Sequence, residues 1–165
     1  MIRRLTVLVA ATLLALILAA PAALAGGATQ ISGVGVFDAP PPDAVCNDPE
    51  GVGDDYALVM TGDLEGCLYT FVGPAVSSPS GTYRETGTEL FVSSDPEEPG
   101  TFRTTYRFEA KYEDVDNLAG EIFGRCQHPI VEGSGTGDYE GVSGILLFKD
   151  EVESGTFLYR GHLRY

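Results

Sequence analysis

Residues Thr101 to Tyr112 alternate between apolar and polar side chains with a period of two, which is typical of a half-buried β-strand with one wet face. One face carries Phe102, Tyr106, Phe108, Ala110 and Tyr112, and the other carries Arg103, Arg107, Glu109 and Lys111. The end of the chain repeats the pattern, with Phe157, Tyr159, Leu163 and Tyr165 alternating with Arg160, His162 and Arg164. Beyond the N-terminal apolar run, no segment shows a sustained helical period. The pattern therefore predicts an all-β protein that ends in a strand.

Weaker alternation places further strands between clusters of turn-forming residues. We predict them at Gln30 to Phe37, Tyr56 to Gly62, Cys67 to Val72, Tyr83 to Val92, Glu121 to His128 and Val142 to Phe148. The connections contain Pro40-Pro41-Pro42-Asp43, Gly62-Asp63, Gly73-Pro74, Asp95-Pro96, Pro99-Gly100 and Ser154-Gly155. About eight short antiparallel strands form either a sandwich or a barrel. An eight-stranded antiparallel barrel is our prediction, closed by pairing of Phe157 to Tyr165 with an early strand, because closure leaves no exposed sheet edge.

The N-terminus has the three parts of a secretory signal peptide. Arg3 and Arg4 supply the positive charge, Leu5 to Ala20 the apolar run, and Ala23-Leu24-Ala25 a small-residue cleavage site. We predict a signal peptide at residues 1–25 and a single barrel domain at residues 26–165. The protein is then secreted, with no membrane insertion after cleavage, since the apolar run is shorter than the ~20 residues of a membrane-spanning helix.

Charge and motifs exclude several classes of function. Without Arg3 and Arg4, eight basic residues stand against 24 acidic ones, so the mature net charge is −16. That charge argues against nucleic acid and anionic lipid as partners. We predict no metal and no cofactor, because His128, His162 and the cysteines lack metal-ligand spacing and no phosphate-binding or dinucleotide motif is present. Gly141-Val142-Ser143-Gly144 also fails the spacing of a nucleophile elbow.

Three cysteines allow one internal disulfide and one free thiol. If the strands run alternately up and down, Cys67 and Cys126 lie at the same end of the barrel, so we predict a Cys67 to Cys126 bridge. Cys46, on the long loop from Asp38 to Asp55, is then a free thiol, and the protein is a monomer or a Cys46-linked dimer. The alternative is that the loop folds back and pairs Cys46 with Cys67.

A glycine-rich turn, Gly133 to Gly141, leads directly into the strand-like segment Val142 to Asp150. This arrangement, together with Glu121 to Asp150 and the closing strand Phe157 to Tyr165, resembles the C-terminal half of the allene oxide cyclase and dirigent group of small β-barrels. The resemblance implies an eight-stranded antiparallel barrel of calycin type. Plant enzymes of this group bind a fatty-acid epoxide or guide the radical coupling of phenols inside the barrel. No functional residue of those enzymes can be placed on a numbered position here.

Strand phase identifies candidate lumen residues. Ile122, Gly124, Cys126 and His128 share one face of their strand, which puts His128 at an inner rim, as a site residue or as a structural histidine. Tyr106 and Tyr159 lie on apolar faces. They either pack in the core or bind a ligand through their phenol groups. The candidate ligand-binding residues are His128, Tyr106, Tyr159 and Glu89.

Glu85 and Glu89 are in phase with Phe91, so an inward carboxylate could act as an acid or a base. Leu90 and Val92 occupy the other phase, however, and burying an unpaired carboxylate is costly. We therefore expect the two glutamates on an exposed face.

Two classes of function stay open. The first is a non-catalytic exported barrel that binds a small apolar molecule or acts as an extracellular interaction module. The second is a cyclase-like or dirigent-like enzyme that holds a flexible substrate in a reactive conformation. A convergent set of polar groups inside the barrel would favour the enzyme.

Overall fold

The computed structural model describes residues 27–47, 53–97 and 99–165. They form a closed barrel of eight antiparallel strands in chain order, as the sequence predicts. The strands are β1 (Thr29–Phe37), β2 (Tyr56–Gly62), β3 (Gly66–Ser77), β4 (Thr82–Ser93), β5 (Thr101–Asp114), β6 (Ala119–Pro129), β7 (Ser143–Glu151) and β8 (Thr156–Arg164). The predicted signal peptide lies outside the described residues. No helix within these ranges is long and apolar enough to cross a membrane.

The barrel closes where β8 pairs with β1, from Thr29 opposite Leu163 to Val36 opposite Thr156. This confirms the predicted closing strand. Close approach of the walls at the seam requires glycine at position 33, because a Cβ atom there would overlap the carbonyl oxygen of Thr61 and the hydroxyl of Tyr159.

One end of the barrel is sealed by its own core, and we call it the closed end. The glycine-rich turn forms a short 3-10 helix, Gly137–Tyr139, beneath the barrel. The Tyr139 ring packs edge-on against Phe91 and Phe102, whose own rings are stacked 4.9 Å apart. Buried aliphatic side chains complete the seal, among them Leu64, Ile130, Val142, Leu146 and Leu163. The glycine-rich turn therefore has a structural role as the plug of the barrel.

A second apolar cluster lies on the outer surface of β2, β3 and β4. Its buried members are Cys46, Tyr69 and Leu90, with Ala57, Val59, Cys67, Phe71 and Val92 packed around them. The loop after β1 folds back over this surface, where Asp38 accepts hydrogen bonds from the backbone N–H groups of Val45 and Cys46. The Tyr69 hydroxyl donates to the carbonyl of Asn47 and fixes the loop further. Part of the barrel wall is thus buried on both faces.

The disulfide joins Cys46 to Cys67, so the predicted Cys67 to Cys126 bridge is wrong. Cys67 and Cys126 lie on opposite faces of the wall, because Cys67 belongs to the outer cluster and Cys126 to the lumen core. A disulfide between them would have to pass through the barrel wall. Cys46 is not a free thiol, which removes the predicted basis for a Cys46-linked dimer; the free cysteine is Cys126, and it is buried.

The prediction that Ile122 lies on the inner face of its strand is wrong, because β6 contains a register shift. Between Lys111 and Tyr112 the pairing of β5 with β6 slips, so that Glu121 lies opposite Tyr112. Ile122 is consequently exposed on the outside, and the inner face of β6 carries Glu121, Gly124, Cys126 and His128.

The basic residues of the barrel wall all face outward. Within the described residues all eight lysines and arginines lie on β4 to β8, in the phase that faces outward: Arg84, Arg103, Arg107, Lys111, Arg125, Lys149, Arg160 and Arg164. Glu109 bridges two of them, Arg84 at 2.8 Å and Arg125 at 2.7 Å. The inward phase carries the carboxyl groups of Glu85, Glu89, Glu121 and Asp150. A strongly acidic protein thus has a basic band on its outer wall.

Candidate binding site in the barrel lumen

Glu89 is the most deeply buried carboxyl group of the described residues, with 3% of its surface exposed. The expectation that Glu85 and Glu89 face outward is therefore wrong. Leu90 is buried and Val92 half-buried, but against the outer cluster, so both phases of β4 are covered at this point. Glu89 is satisfied by neighbours: the Thr104 hydroxyl donates to Oε2 at 2.5 Å, and the Thr70 hydroxyl lies 3.5 Å from Oε1. Both threonines are fully buried.

His128 projects from β6 across the lumen to the same carboxylate. Its Nδ1 lies 2.6 Å from Glu89 Oε2, and only 4% of the residue is exposed. The ring packs between Phe148, at 4.5 Å between centroids, and Tyr106, at 6.0 Å. Its second nitrogen, Nε2, is buried without a hydrogen-bond partner. A carboxylate that holds Nδ1 leaves Nε2 on the opposite side of the ring, turned away from Glu89.

Tyr106 connects this pair to a second carboxyl group. Its hydroxyl donates to Glu85 Oε1 at 2.5 Å, while the Tyr83 hydroxyl donates to Oε2 at 2.5 Å. Burial, followed by the hydrogen bond to Glu85, raises the pKa of Tyr106 well above its usual value. Tyr106 is therefore a neutral phenol whose orientation is set by Glu85. It lies between the Glu85 carboxyl group and the imidazole of His128.

The end of the barrel opposite the plug is lined by aromatic rings, and we call it the wide end. Phe37 packs edge-on against Tyr56 at 5.4 Å and against Phe157 at 4.9 Å. Across the barrel, Tyr83 packs edge-on against Phe108 and Tyr112. Phe37 is 58% exposed and Tyr56 37% exposed, whereas the closed end has buried side chains throughout its core. The wide end therefore presents partly exposed aromatic rings to the solvent.

Asp150 and Glu121 form a carboxyl pair near the wide end. A Cβ atom at Gly124 would overlap the carboxyl groups of both, so the glycine leaves the space that they occupy. Burial raises the pKa of Asp150 to about 7, and the adjacent Glu121 adds to the rise. The pair holds a proton near neutral pH, because two close carboxyl groups resist being ionised together.

This pair makes the stability of the protein depend on pH. The pKa of Asp150 is higher in the folded protein than its usual 3.8, so folding binds a proton in the interval between the two values. We expect the free energy of unfolding to decrease as the pH rises from about 4 to about 7, and to level off above that range. Asp150→Asn should make the profile flatter and the protein more stable at pH 8 than the wild type. Chemical denaturation across this pH range measures the effect.

The matched control is Asp43→Asn, which removes one negative charge from an exposed loop. General charge repulsion in an acidic protein also grows with pH, and this variant reports that contribution. Equal flattening by both substitutions would show that Asp150 has no specific part in the pH dependence.

Two other sequence-predicted residues also lie in the lumen. Tyr159 is buried, but its hydroxyl accepts from the backbone N–H of Leu64 at 2.8 Å and donates to the carbonyl of Thr61 at 3.1 Å. Tyr159 thus holds the backbone at the closed end and also lines the interior. Cys126 is buried near His128, and burial raises the pKa of its thiol far above the usual value, so it stays protonated.

Of the four predicted ligand-binding residues, the structure brings Glu89, His128 and Tyr106 together and places Tyr159 deeper, where its ring lies 5.6 Å from that of Phe148. Thr70 and Thr104, the hydrogen-bond partners of Glu89, were not predicted from the sequence. The detectable signal was their phase, since each is an inward position on a strand adjacent to β4.

A cavity of about 1060 Å³ involves the wall of β4 to β8. Six of its lining residues belong to the inward phase: Glu85, Phe108, Gly124, Cys126, Phe148 and Tyr159. The remainder are largely outward side chains, including Arg84, Arg107, Arg125, Lys149 and Arg160. Within the described ranges, no three His, Cys, Asp or Glu side chains are grouped so that they could hold a metal ion.

Compared with known proteins, the sequence matches no family model and none of the curated proteins. The eight-stranded antiparallel closed barrel is compatible with a calycin-like fold.

Proposed function

We propose that this protein is an exported barrel that binds a small, largely apolar molecule in its lumen, entering at the wide end. The observation that carries the proposal is the unpartnered Nε2 of His128, a polar atom buried among aromatic rings. Buried polar atoms are rarely left without a partner, and such an atom in a lumen is a natural contact for a ligand. Exposed aromatic rings at the wide end support the same direction of entry.

Export is part of the proposal and has two supports. The N-terminal segment has the pattern of a secretory signal, and the Cys46 to Cys67 disulfide suits an oxidising compartment. The resemblance of the C-terminal half to the allene oxide cyclase and dirigent group agrees with a barrel that holds its ligand inside.

The test uses N-phenyl-1-naphthylamine, a neutral apolar fluorophore whose emission rises in a dry site. We expect one molecule to bind per barrel, and His128→Ala to weaken binding by about tenfold or more, which corresponds to losing one buried polar contact with its packing. The matched control is His162→Ala, since His162 is on the outer phase of β8. Thermal unfolding of both variants reports whether the fold is retained.

Absence of saturable binding by the wild-type protein would overturn the proposed function. Equal weakening by His128→Ala and His162→Ala would place the bound fluorophore outside the lumen. A His128→Ala variant that is less stable by more than ~3 kcal/mol yet binds the fluorophore normally would make His128 a structural residue.

A second candidate function rests on the Glu89 to His128 pair. An imidazole oriented by a carboxylate through Nδ1, with Nε2 unoccupied, is the arrangement of a general base. The candidate is a cyclase-like or dirigent-like enzyme in which the barrel positions a flexible substrate and His128 moves a proton. For such an enzyme, Glu89→Gln would slow turnover of a bound substrate while leaving its affinity nearly unchanged.

A further inference from the structure

The charges that face the lumen are of one sign. Glu85, Glu89, Glu121 and Asp150 all belong to the inward phase. All eight lysines and arginines of the described chain face outward, so within these ranges the only basic group inside is the imidazole of His128. A ligand carboxylate would meet four carboxyl groups and no ammonium or guanidinium group. An organic cation would instead meet four carboxyl groups of opposite charge and no ammonium or guanidinium group to repel it.

The aromatic rings at the wide end add a second feature that favours a cation. The faces of phenol and benzene rings carry negative electrostatic potential and attract ammonium groups. Tyr83, Tyr106 and Phe108 lie around the Glu85 carboxyl group, which is half-buried. Tyr83 and Tyr106 meet Glu85 through their hydroxyl groups, and Phe108 lies opposite it on β5. A carboxylate bordered by aromatic rings is the usual composition of a receptor for an ammonium group.

His128 supplies the independent observation. Glu89 Oε2 accepts from Thr104 and lies 2.6 Å from Nδ1, so the imidazole donates its Nδ1 proton to the carboxylate. In the neutral ring Nε2 is then an acceptor with a free lone pair. This atom is buried and has no donor. An alkylammonium group carries N–H donors and no acceptor, so it is complementary to both Nε2 and Glu85.

We propose that the lumen is selective for organic cations of the alkylammonium class, with the ammonium group held among Glu85, Tyr106 and His128 and the apolar part against the rings of the wide end. The inference rests on the proposed function and names its ligand class. It also implies that the barrel rejects fatty-acid carboxylates of the same chain length.

Three probes of equal length separate charge from apolar contact: octylammonium, 1-octanol and octanoate at pH 7.5. Each competes with bound N-phenyl-1-naphthylamine, and calorimetry confirms direct binding. We expect octylammonium to bind about tenfold more tightly than 1-octanol, the gain of one charge-assisted hydrogen bond, and octanoate to bind most weakly.

Glu85→Gln tests the site within the lumen. The amide keeps the size of the side chain and removes the charge, so octylammonium should lose its advantage while 1-octanol binds as before. Unchanged 1-octanol affinity also shows that the variant has folded. The control is Glu153→Gln, which removes one negative charge from the exposed turn between β7 and β8 and should leave the order of the three probes unchanged.

The possible outcomes distinguish the two proposals. Octanoate or 1-octanol binding as tightly as octylammonium would overturn the cation selectivity and leave the proposed lumen site standing. Equal effects of Glu85→Gln and Glu153→Gln would assign the preference to the general field of an acidic protein and overturn the site. Failure of the wild type to bind N-phenyl-1-naphthylamine or any octyl probe would overturn the proposed function itself.

Discussion

Replacing Glu89 by alanine is expected to lower the free energy of unfolding by about 3 to 5 kcal/mol, because it leaves buried polar groups without a partner and opens a cavity. The Nδ1 atom of His128 and the Thr104 hydroxyl both depend on Glu89 Oε2. Without the carboxylate they stay buried and unpaired, and a cavity forms beside them. Denaturation in urea, followed by circular dichroism, measures the loss.

Glu89→Gln serves as the isosteric comparison, since the amide oxygen can still accept one of these hydrogen bonds. Its cost should be closer to about 1 kcal/mol, the typical net value of a single hydrogen bond. Glu153→Ala removes a carboxyl group from an exposed turn and should change stability by less than about 0.5 kcal/mol. A loss for Glu89→Ala no larger than that of Glu153→Ala would show that the buried pair contributes nothing to stability.

The double substitution Cys46→Ala with Cys67→Ala is expected to destabilise the protein by about 3 kcal/mol, the usual value for a loop of this order of length. The disulfide closes a segment with a sequence separation of 21 residues and holds the loop after β1 against the outer cluster. Its removal increases the freedom of the unfolded chain and releases the cover of Leu90 and Tyr69. Urea denaturation with and without dithiothreitol measures the effect.

Dithiothreitol should destabilise the wild type to a similar extent and have no effect on the double variant. The remaining cysteine provides the control, because Cys126 is unpaired in the lumen and reducing agent leaves it unchanged. Insensitivity of the wild type to reduction would contradict a stabilising role for the bridge.

Much of the fold could be predicted from the sequence, because period-two alternation and turn residues report each strand locally. All eight strands are found, and the last one closes the barrel. The predicted connection at Gly73-Pro74 is wrong, since β3 continues through it to Ser77 and its pairing with β4 only shifts register there. The register shift opposite Lys111 could not be predicted, since a single extra residue in β6 leaves no mark on the pattern except the outward position of Ile122.

The errors at the candidate site share one physical origin. Alternation assumes that one face of a strand is buried and the other is wet. At Leu90 both faces are buried, because the loop after β1 covers the outer wall there. The apolar pair Leu90 and Val92 therefore obscured the inward direction of Glu89. The same cover explains the disulfide, since Cys67 belongs to the outer face that the loop reaches and Cys126 to the lumen.

Pairing of β1 with β8 gives the barrel a seam that joins the two extremes of the described chain. Every other pair of neighbours is consecutive in sequence, so seven strands can add one after another as a growing sheet while the polypeptide is being synthesised. During that time the free edge of β1 has no partner, and an open sheet edge invites pairing with other chains. The barrel closes only when β8 pairs with β1. This contact joins residues far apart in sequence, and such contacts form slowly during folding. Ribosome stalling or premature termination upstream of residue 156 would consequently release an open, aggregation-prone sheet in place of a barrel.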